Sequence, residues 1–323
     1  MKVHSDINSL PIFKNAVITI GTFDGVHTGH LQIIRQLKDE AAKINGETVI
    51  ITFHPHPRMV VQPLPGNNKP GIMLLNTLEE KIILLEKKSI DHLVIVPFDN
   101  AFSDQSAETY IRDFLTAKFH PHTIIIGYDH HFGKGRSGNY KLLEKYGPQF
   151  NYQVKEIPEH VLNHVAISST KIREALLSSK VEAANQYLGY EYFFSGRVIE
   201  GDKIGRTIGY PTINLEINEE NKLIPGNGVY AVHLQINETE PPVFIGSPVL
   251  KGMMNIGYRP TIGGTKKMIE INIFDFGRDI YNLDVTIYLK SFIRSEIKFD
   301  GVESLKKQLA RDKREAVLLL EKI

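Results

Sequence analysis

Short β-branched and apolar runs alternate with helically spaced apolar positions over the first half of the chain. Val17, Ile18, Thr19 and Ile20 form one such run, and Leu31, Ile34, Leu37, Ala41 and Ile44 recur after it at helical spacing, so a strand feeds a helix. Runs at 48–53 (TVIITF), 92–96 (HLVIV) and 123–126 (TIII) predict further strands, and stretches near 77–88, 106–118 and 169–178 predict helices. Strands that are apolar throughout, with helices between them, imply a parallel sheet covered on both faces.

Around Val181 to Tyr192 the pattern changes to short alternating strands with Gly, Pro and Asn turns. This signals an antiparallel barrel or sandwich. Tyr230, Val232, Leu234 and Ile236 share one face of a strand; Ile269, Ile271 and Ile273 share one face of another, which leaves Glu270, Asn272 and Phe274 opposite. A closing helix over 304–322 offers Leu305, Leu309, Val317 and Leu320 for packing on the barrel. The expected division is therefore a first domain of residues 1–183 and a second of residues 184–323, and 323 residues suffice for two cores.

Composition narrows the classes. A formal charge of +1 gives no electrostatic footprint for nucleic acid or an anionic membrane. The absence of cysteine excludes disulfides and thiolate metal sites and fits a reducing cytoplasm. No apolar run approaches the roughly 20 residues that span a bilayer, and the N-terminal stretch lacks an apolar signal region. The expectation is a cytoplasmic protein, monomeric or weakly oligomeric, with local phosphate sites.

The richest of these sites is GTFDGVHTGH, residues 21–30, between the first strand and helix. The first helical turn has free N–H groups and the positive end of the helix dipole, so an anion is favoured there. Gly21, Gly25 and Gly29 permit close approach of a phosphate, and His27 and His30 lie near one another with hydrogen bonds to give. A helix start disfavours imidazolium whereas a triphosphate favours it, so protonation is expected to couple to nucleotide binding. Further polar clusters follow other strands, where open α/β sheets bind ligands. His54-Pro55-His56-Pro57 reads as a rigid turn with histidines at a strand end, or simply as a stiff loop. The segment 127–138 is flexible and basic around Asp129, as a mobile surface loop also is. Ser168, Ser169 and Thr170 open a helix with Arg173 in its first turn, a pattern that helix capping also produces.

In the second half, Gly201 to Asn214 is a glycine-rich run compatible with a phosphate loop or with a cluster of turns. Thr212 and Asn214, two apart on an extended segment, offer a hydroxyl and an amide carbonyl to a hard cation, or are polar residues of an edge strand. Glu270 is a single carboxylate projecting from a strongly apolar strand.

GTFDGVHTGH resembles the first motif of the bacterial bifunctional riboflavin kinase and FAD synthetase family, a variant of the nucleotidyltransferase HxGH signature. The HPHP, 127–138 and 168–173 segments resemble that family's TFxPHP, GxDFxFG and ISSTxIR motifs, in order, and the PTIN segment and MIEINIFDF strand resemble the marks of riboflavin kinases. The resemblance covers almost the whole chain. It implies a Rossmann-like nucleotidyltransferase domain followed by a Greek-key β-barrel with a terminal helix. The barrel would phosphorylate riboflavin with ATP, giving FMN and ADP, and the first domain would adenylylate FMN to FAD, with magnesium assisting.

By the same resemblance Gly21, Phe23, Asp24, Gly25, His27, His30, Asp129, Ser168, Ser169, Thr170 and Arg173 would bind ATP for adenylylation, His27 and His30 catalytically. Gly205, Arg206, Gly209, Pro211, Thr212 and Asn214 would bind ATP in the kinase, Thr212 and Asn214 holding the metal and Glu270 acting as base. His56, Pro57, Asn255, Arg259, Arg294 and Glu296 would lie near flavin. His130 and His131 depart from the family, standing where many members have Phe and Arg. Two other readings fit parts of the chain. Against a nucleotidyltransferase for another acceptor stand Glu270 and the PTIN segment; against a nonenzymatic flavin- or nucleic-acid-binding barrel stand the missing basic surplus and the absence of tryptophan.

Overall fold

The structure is a computed structural model and describes residues 1–61, 72–157, 167–201, 204–237, 249–261 and 264–321. Its first compact unit is Met1–Ser169 and its second Thr170–Ile323.

The first unit holds the strands β1 (Lys2–His4), β2 (Val17–Ile20), β3 (Thr48–His54), β4 (His92–Pro97), β5 (Thr123–Gly127) and β6 (Gln153–Ile157). They form one sheet in the order β1-β4-β3-β2-β5-β6, with every neighbouring pair parallel. The four central strands are almost entirely buried, as their unbroken apolar runs require, while β1 and β6 carry mixed patterns and sit at the edges. Edge strands need only one apolar face, and for that reason no run in the sequence announces these two. Helix α1 (Thr28–Ile44) buries Ile34, Leu37 and Ala41, three members of the predicted stripe. Helix α2 (Leu78–Glu86) starts at a complete capping box, Thr77 with Glu80, and α3 (Tyr140–Phe150) lies between β5 and β6. From β2 the strand order runs one way through β3 and β4 and the other way through β5 and β6. The carboxyl ends of β2 and β5 therefore flank the switch point where open α/β sheets bind ligands. The GTFDGVHTGH turn leaves β2 there, and the 127–138 loop leaves β5.

The second unit begins with α4 (Ser169–Leu177) and α5 (Val181–Leu188). Their hydrogen-bond partners lie in the barrel. Gly226 N donates to Leu176 O, Tyr230 Oη to Ser179 Oγ, and Asn185 Nδ2 to Leu289 O. The strands β7 (Phe193–Ile199), β8 (Ile213–Glu216), β9 (Gly228–Asn237), β10 (Leu250–Thr261), β11 (Gly264–Ile273) and β12 (Asp284–Arg294) close an antiparallel barrel in the order β10-β11-β8-β7-β12-β9. Ile269, Ile271 and Ile273 are buried as their alternation demands. Phe274, Met253 and Ala231 are buried too, because the terminal helix α6 (Val302–Glu321) lays Leu309, Ala316, Val317 and Leu320 over them.

Candidate active sites

The turn after β2 is held in a conformation that few side chains tolerate. Phe23 (φ 47°), Gly25 (φ 88°) and Val26 (φ 36°) all have positive φ, and for a β-branched valine this is a strained geometry. The surroundings enforce it. Phe23 and Asp24 are buried at 1% and 2% exposure, and Asp24 Oδ1 accepts hydrogen bonds from Leu75 N (3.0 Å) and Asn76 N (3.3 Å). Their side chains thus build the turn from inside. Gly21 N donates to Ile51 O on β3, and a Cβ at Gly21 would stand 3.1 Å from the Phe23 ring.

The turn delivers its two histidines as one unit. The His27 and His30 rings stack with centroids 3.7 Å apart, and Phe23 lies 4.9 Å from His30 on its other side. A Cβ at Gly29 would press on the His27 ring at 3.1 Å, so the glycine leaves room for the stack. His30 Nδ1 is enclosed without a hydrogen-bond partner. Burial first, then the positive charges of His27 and Lys81, hold the His30 imidazole well below its ordinary value. An anion arriving here would reverse that preference. At the end of this unit Ser169 Oγ donates to Asp24 O at 2.9 Å, and Ile167 O faces Gly29. Thr170 and Arg173 follow Ser169 on α4.

The other predicted residues of this unit are placed less closely. His56 is buried and its Nδ1 accepts from Arg58 N, while Pro57 opens a short helix, Pro57–Val61. Asp129 is exposed just beyond β5. Its neighbour His130 packs on the buried Phe132, its Nε2 enclosed without a partner, and burial pulls its pKa down to about 4. His131 is exposed. Sequence reasoning missed Lys81, whose ammonium donates to Thr22 O at 2.7 Å. Its signal was a lysine on the apolar face of α2, three residues from both Leu78 and Leu84.

In the barrel the candidate residues meet by register. Glu270 on β11 pairs with Asn214 on β8 and with Asn255 on β10, so the three stand in a row across adjacent strands. Gly201 makes the row possible, since a Cβ there would fall 1.9 Å from Asn214 Nδ2. Gly205 closes the neighbouring turn: Tyr210 N donates to Gly205 O at 2.8 Å, and a Cβ would strike Tyr210 O at 2.2 Å. Gly209 takes φ 83° in that turn. A cavity of about 430 Å³ is bordered by Arg206, Pro211 and Thr212 on one side and by Phe276, Asp279 and Tyr281 on the other.

Glu296 joins Asn255 through Gly257, where a Cβ would meet Glu296 Oε1 at 2.2 Å. Arg294 is engaged elsewhere. Its Nε and Nη2 bond the carboxylate of Asp312 on α6 at 2.7–3.1 Å, with Asp312 only 1% exposed. The side chain of Arg259 lies outside the described residues.

Comparison with known proteins shows two family matches in succession along the chain. A family model described as FAD synthetase matches residues 10–171, and one described as riboflavin kinase matches residues 188–320. A bifunctional riboflavin kinase/FMN adenylyltransferase of Haemophilus influenzae is 35% identical over 305 residues, covering 94% of each chain. One from Listeria monocytogenes is 37% identical over 310 residues, covering 96% of this chain and 94% of its own. A crystal structure of a macrolide-efflux protein from Streptococcus pneumoniae shares the fold, with a TM-score of 0.84, 28% identity and 98% coverage of both chains. Among the described residues of the present chain, no helix is long and apolar enough to cross a membrane.

Proposed function

The chain belongs to the bifunctional riboflavin kinase/FMN adenylyltransferase family, and from that premise we propose which residues carry each activity. The enzyme is a transferase that phosphorylates riboflavin in its C-terminal domain and adenylylates FMN in its N-terminal domain, with ATP as co-substrate.

In the adenylyltransferase, His27 and His30 bind the ATP phosphates, aided by Gly21, Gly25 and the backbone of Phe23 and Asp24. Ser168, Ser169, Thr170 and Arg173 supply the second helix start, Asp129 holds the adenylate end, and His56 and Pro57 border the flavin. The FMN phosphate attacks the α-phosphorus and pyrophosphate leaves, so no protein nucleophile is needed. The site aligns the reactants and stabilises charge spreading over the phosphoryl oxygens. The observation that carries this reading is the stacked His27–His30 pair at the start of α1, with an enclosed, unpartnered Nδ1 on His30.

In the kinase, the ribityl terminal hydroxyl gives its proton to Glu270 as its oxygen attacks the γ-phosphorus, and ADP leaves. Gly205, Arg206, Gly209 and Pro211 shape the nucleotide side; Asn255, Arg259 and Glu296 border the flavin. Arg294 belongs to that border too, held in place by Asp312 of α6. Thr212 and Asn214 fit a hard cation: both offer neutral oxygen donors, and Gly201 leaves the space that Asn214 fills. Magnesium bound there would neutralise charge on the ATP phosphates. The cysteine-free composition supports a cytoplasmic location, and the reading extends to a monomer or weak oligomer, which sedimentation tests.

A crystal structure with ADP, FMN and magnesium tests the assignment. Phosphate oxygens are expected within hydrogen-bond reach of His27 and His30, and a flavin ribityl chain beside Glu270; a nucleotide bound away from the β2 turn would overturn the first half.

A further inference from the structure

Lys81 is a buried ammonium that none of these roles uses. It stands on α2 with 7% of its surface exposed, and both its hydrogen bonds go to neutral oxygens: Thr22 O at 2.7 Å and Thr52 Oγ1 at 3.4 Å. Thr52 Oγ1 in turn donates to Thr22 O at 3.2 Å. One backbone carbonyl of the turn is thus gripped from both α2 and β3. Two residues on, Asp24 reaches the other way, its carboxylate taking the N–H groups of Leu75 and Asn76 just before α2. The two contacts run in opposite directions between the same two segments, and the strained residues Phe23, Gly25 and Val26 lie between or directly after them. Strained backbone of this kind persists only where its surroundings over-determine it.

Among the described residues no carboxylate forms an ion pair with Lys81, and a buried charge is a costly choice for a mere structural clamp, which a neutral donor would serve as well. The charge has a second use. The Lys81 charge is felt by Asp24 on the turn and by His30 on α1, and with His27 it makes the environment of His30 positive before any nucleotide arrives. Desolvation brings Lys81 itself down to about 8, partly offset by Asp24. A polyanion entering the turn would favour the charged form of both Lys81 and His30.

We infer that Lys81 is a positioning residue of the adenylyltransferase, which with Asp24 braces the strained turn and supplies a fixed positive charge behind the His27–His30 pair. The inference rests on the assignment of that pair to the ATP phosphates.

The test replaces Lys81 by Met, which keeps the aliphatic stem, and by Arg, which keeps the charge. Lys81→Met is expected to lower kcat/KM for FMN adenylylation by about 10- to 100-fold and to raise the pH at which the His30 imidazole titrates, followed by NMR. Riboflavin phosphorylation by the same molecules should stay within about twofold, which confines the loss to the first unit. Lys81→Arg is expected to hold His30 at its wild-type titration. A purely structural clamp would not move the histidine titration, so unchanged His30 in Lys81→Met overturns the inference, as does unchanged adenylylation.

If Lys81→Met does not fold, the unaltered chain decides. The Lys81 side-chain resonance, identified by its loss in Lys81→Arg, must shift its titration upward on adding Mg-ATP, and a signal indifferent to nucleotide overturns the inference. The variant His27→Ala/His30→Ala separates the two levels. If it still makes FAD, the assignment of the turn to ATP fails; if it does not, and Lys81→Met is normal, only the inference fails.

Discussion

The two units build their phosphate sites by opposite routes. In the parallel sheet, ten consecutive residues from Gly21 to His30 hold most of the candidate residues, because a strand, a turn and a helix start are contiguous along the chain. In the barrel, Asn214, Asn255 and Glu270 are far apart in sequence and meet only through the pairing register of β8, β11 and β10. On the proposed assignment the first site would bind anions largely with backbone N–H groups and a helix dipole; the second presents side chains from an antiparallel surface. Each unit nonetheless holds a desolvated lysine that donates to backbone carbonyls. Lys81 grips Thr22 O, and Lys267, also brought down to about 8 by burial, grips Ile224 O and Pro225 O.

The sharpest way to break this comparison is to disable one site at a time. Glu270→Gln should cost roughly 10²- to 10⁴-fold in FMN formation and leave conversion of FMN to FAD intact, while His27→Ala/His30→Ala should do the reverse; chromatography of the flavins reads both. A folded variant that loses both activities would show that the sites are not separate.

Next in size is the ion pair that ties β12 to α6. Asp312→Asn leaves the Arg294 guanidinium without its buried counter-charge, and about 3 kcal/mol of stability should be lost, measured by urea unfolding. A midpoint equal to that of the wild type would mean that the pair only orients α6.

The first unit should also be the more acid-sensitive through His130. Unfolded, this imidazole accepts a proton below about 6.5; folded, it refuses one down to about 4. Its folded pKa is depressed, so the folded state is favoured fully above pH 6.5 and loses at most about 3 kcal/mol as pH falls across that window. Unfolding midpoints at pH 4.5 and 7 measure the loss, and His130→Phe should shrink it. An unaltered difference in that variant would assign the sensitivity elsewhere.

The smallest effect concerns the glycine that shapes the kinase row. Gly201→Ala must displace Asn214 from its position beside Glu270, and a loss of about tenfold in riboflavin phosphorylation is expected with FAD synthesis from FMN unchanged. Equal loss in both steady-state assays would point to a global change in packing.

Much of this was legible beforehand, and unevenly. The four central strands declared themselves because residues buried on both faces leave no polar position to confuse the pattern. β1 and β6 did not, since an edge strand is apolar on too little of its surface. Helix α4 was legible from the stretch near 169–178, but α5 was not, because Val181 to Tyr192 reads as a change to alternating strands; periodicity tells which face is apolar, never what covers it. The partner of Arg294, Asp312, sits on a helix eighteen residues away, a pairing that charge pattern alone does not reveal.

What the sequence determined by itself was the local chemistry: a glycine- and histidine-rich turn between strand and helix, a Thr-x-Asn segment, and one carboxylate on an apolar strand. These are properties of neighbouring residues, and a strand-to-helix turn or an alternating strand is specified over a few residues. Only the tertiary structure decided that Asn214, Glu270 and Asn255 share a row, that His27 and His30 stack against Phe23, and that Lys81 holds the turn from a helix fifty-nine residues downstream. Register and burial depend on contacts between distant segments, and a buried charge is visible as such only when the solvent has been removed from around it.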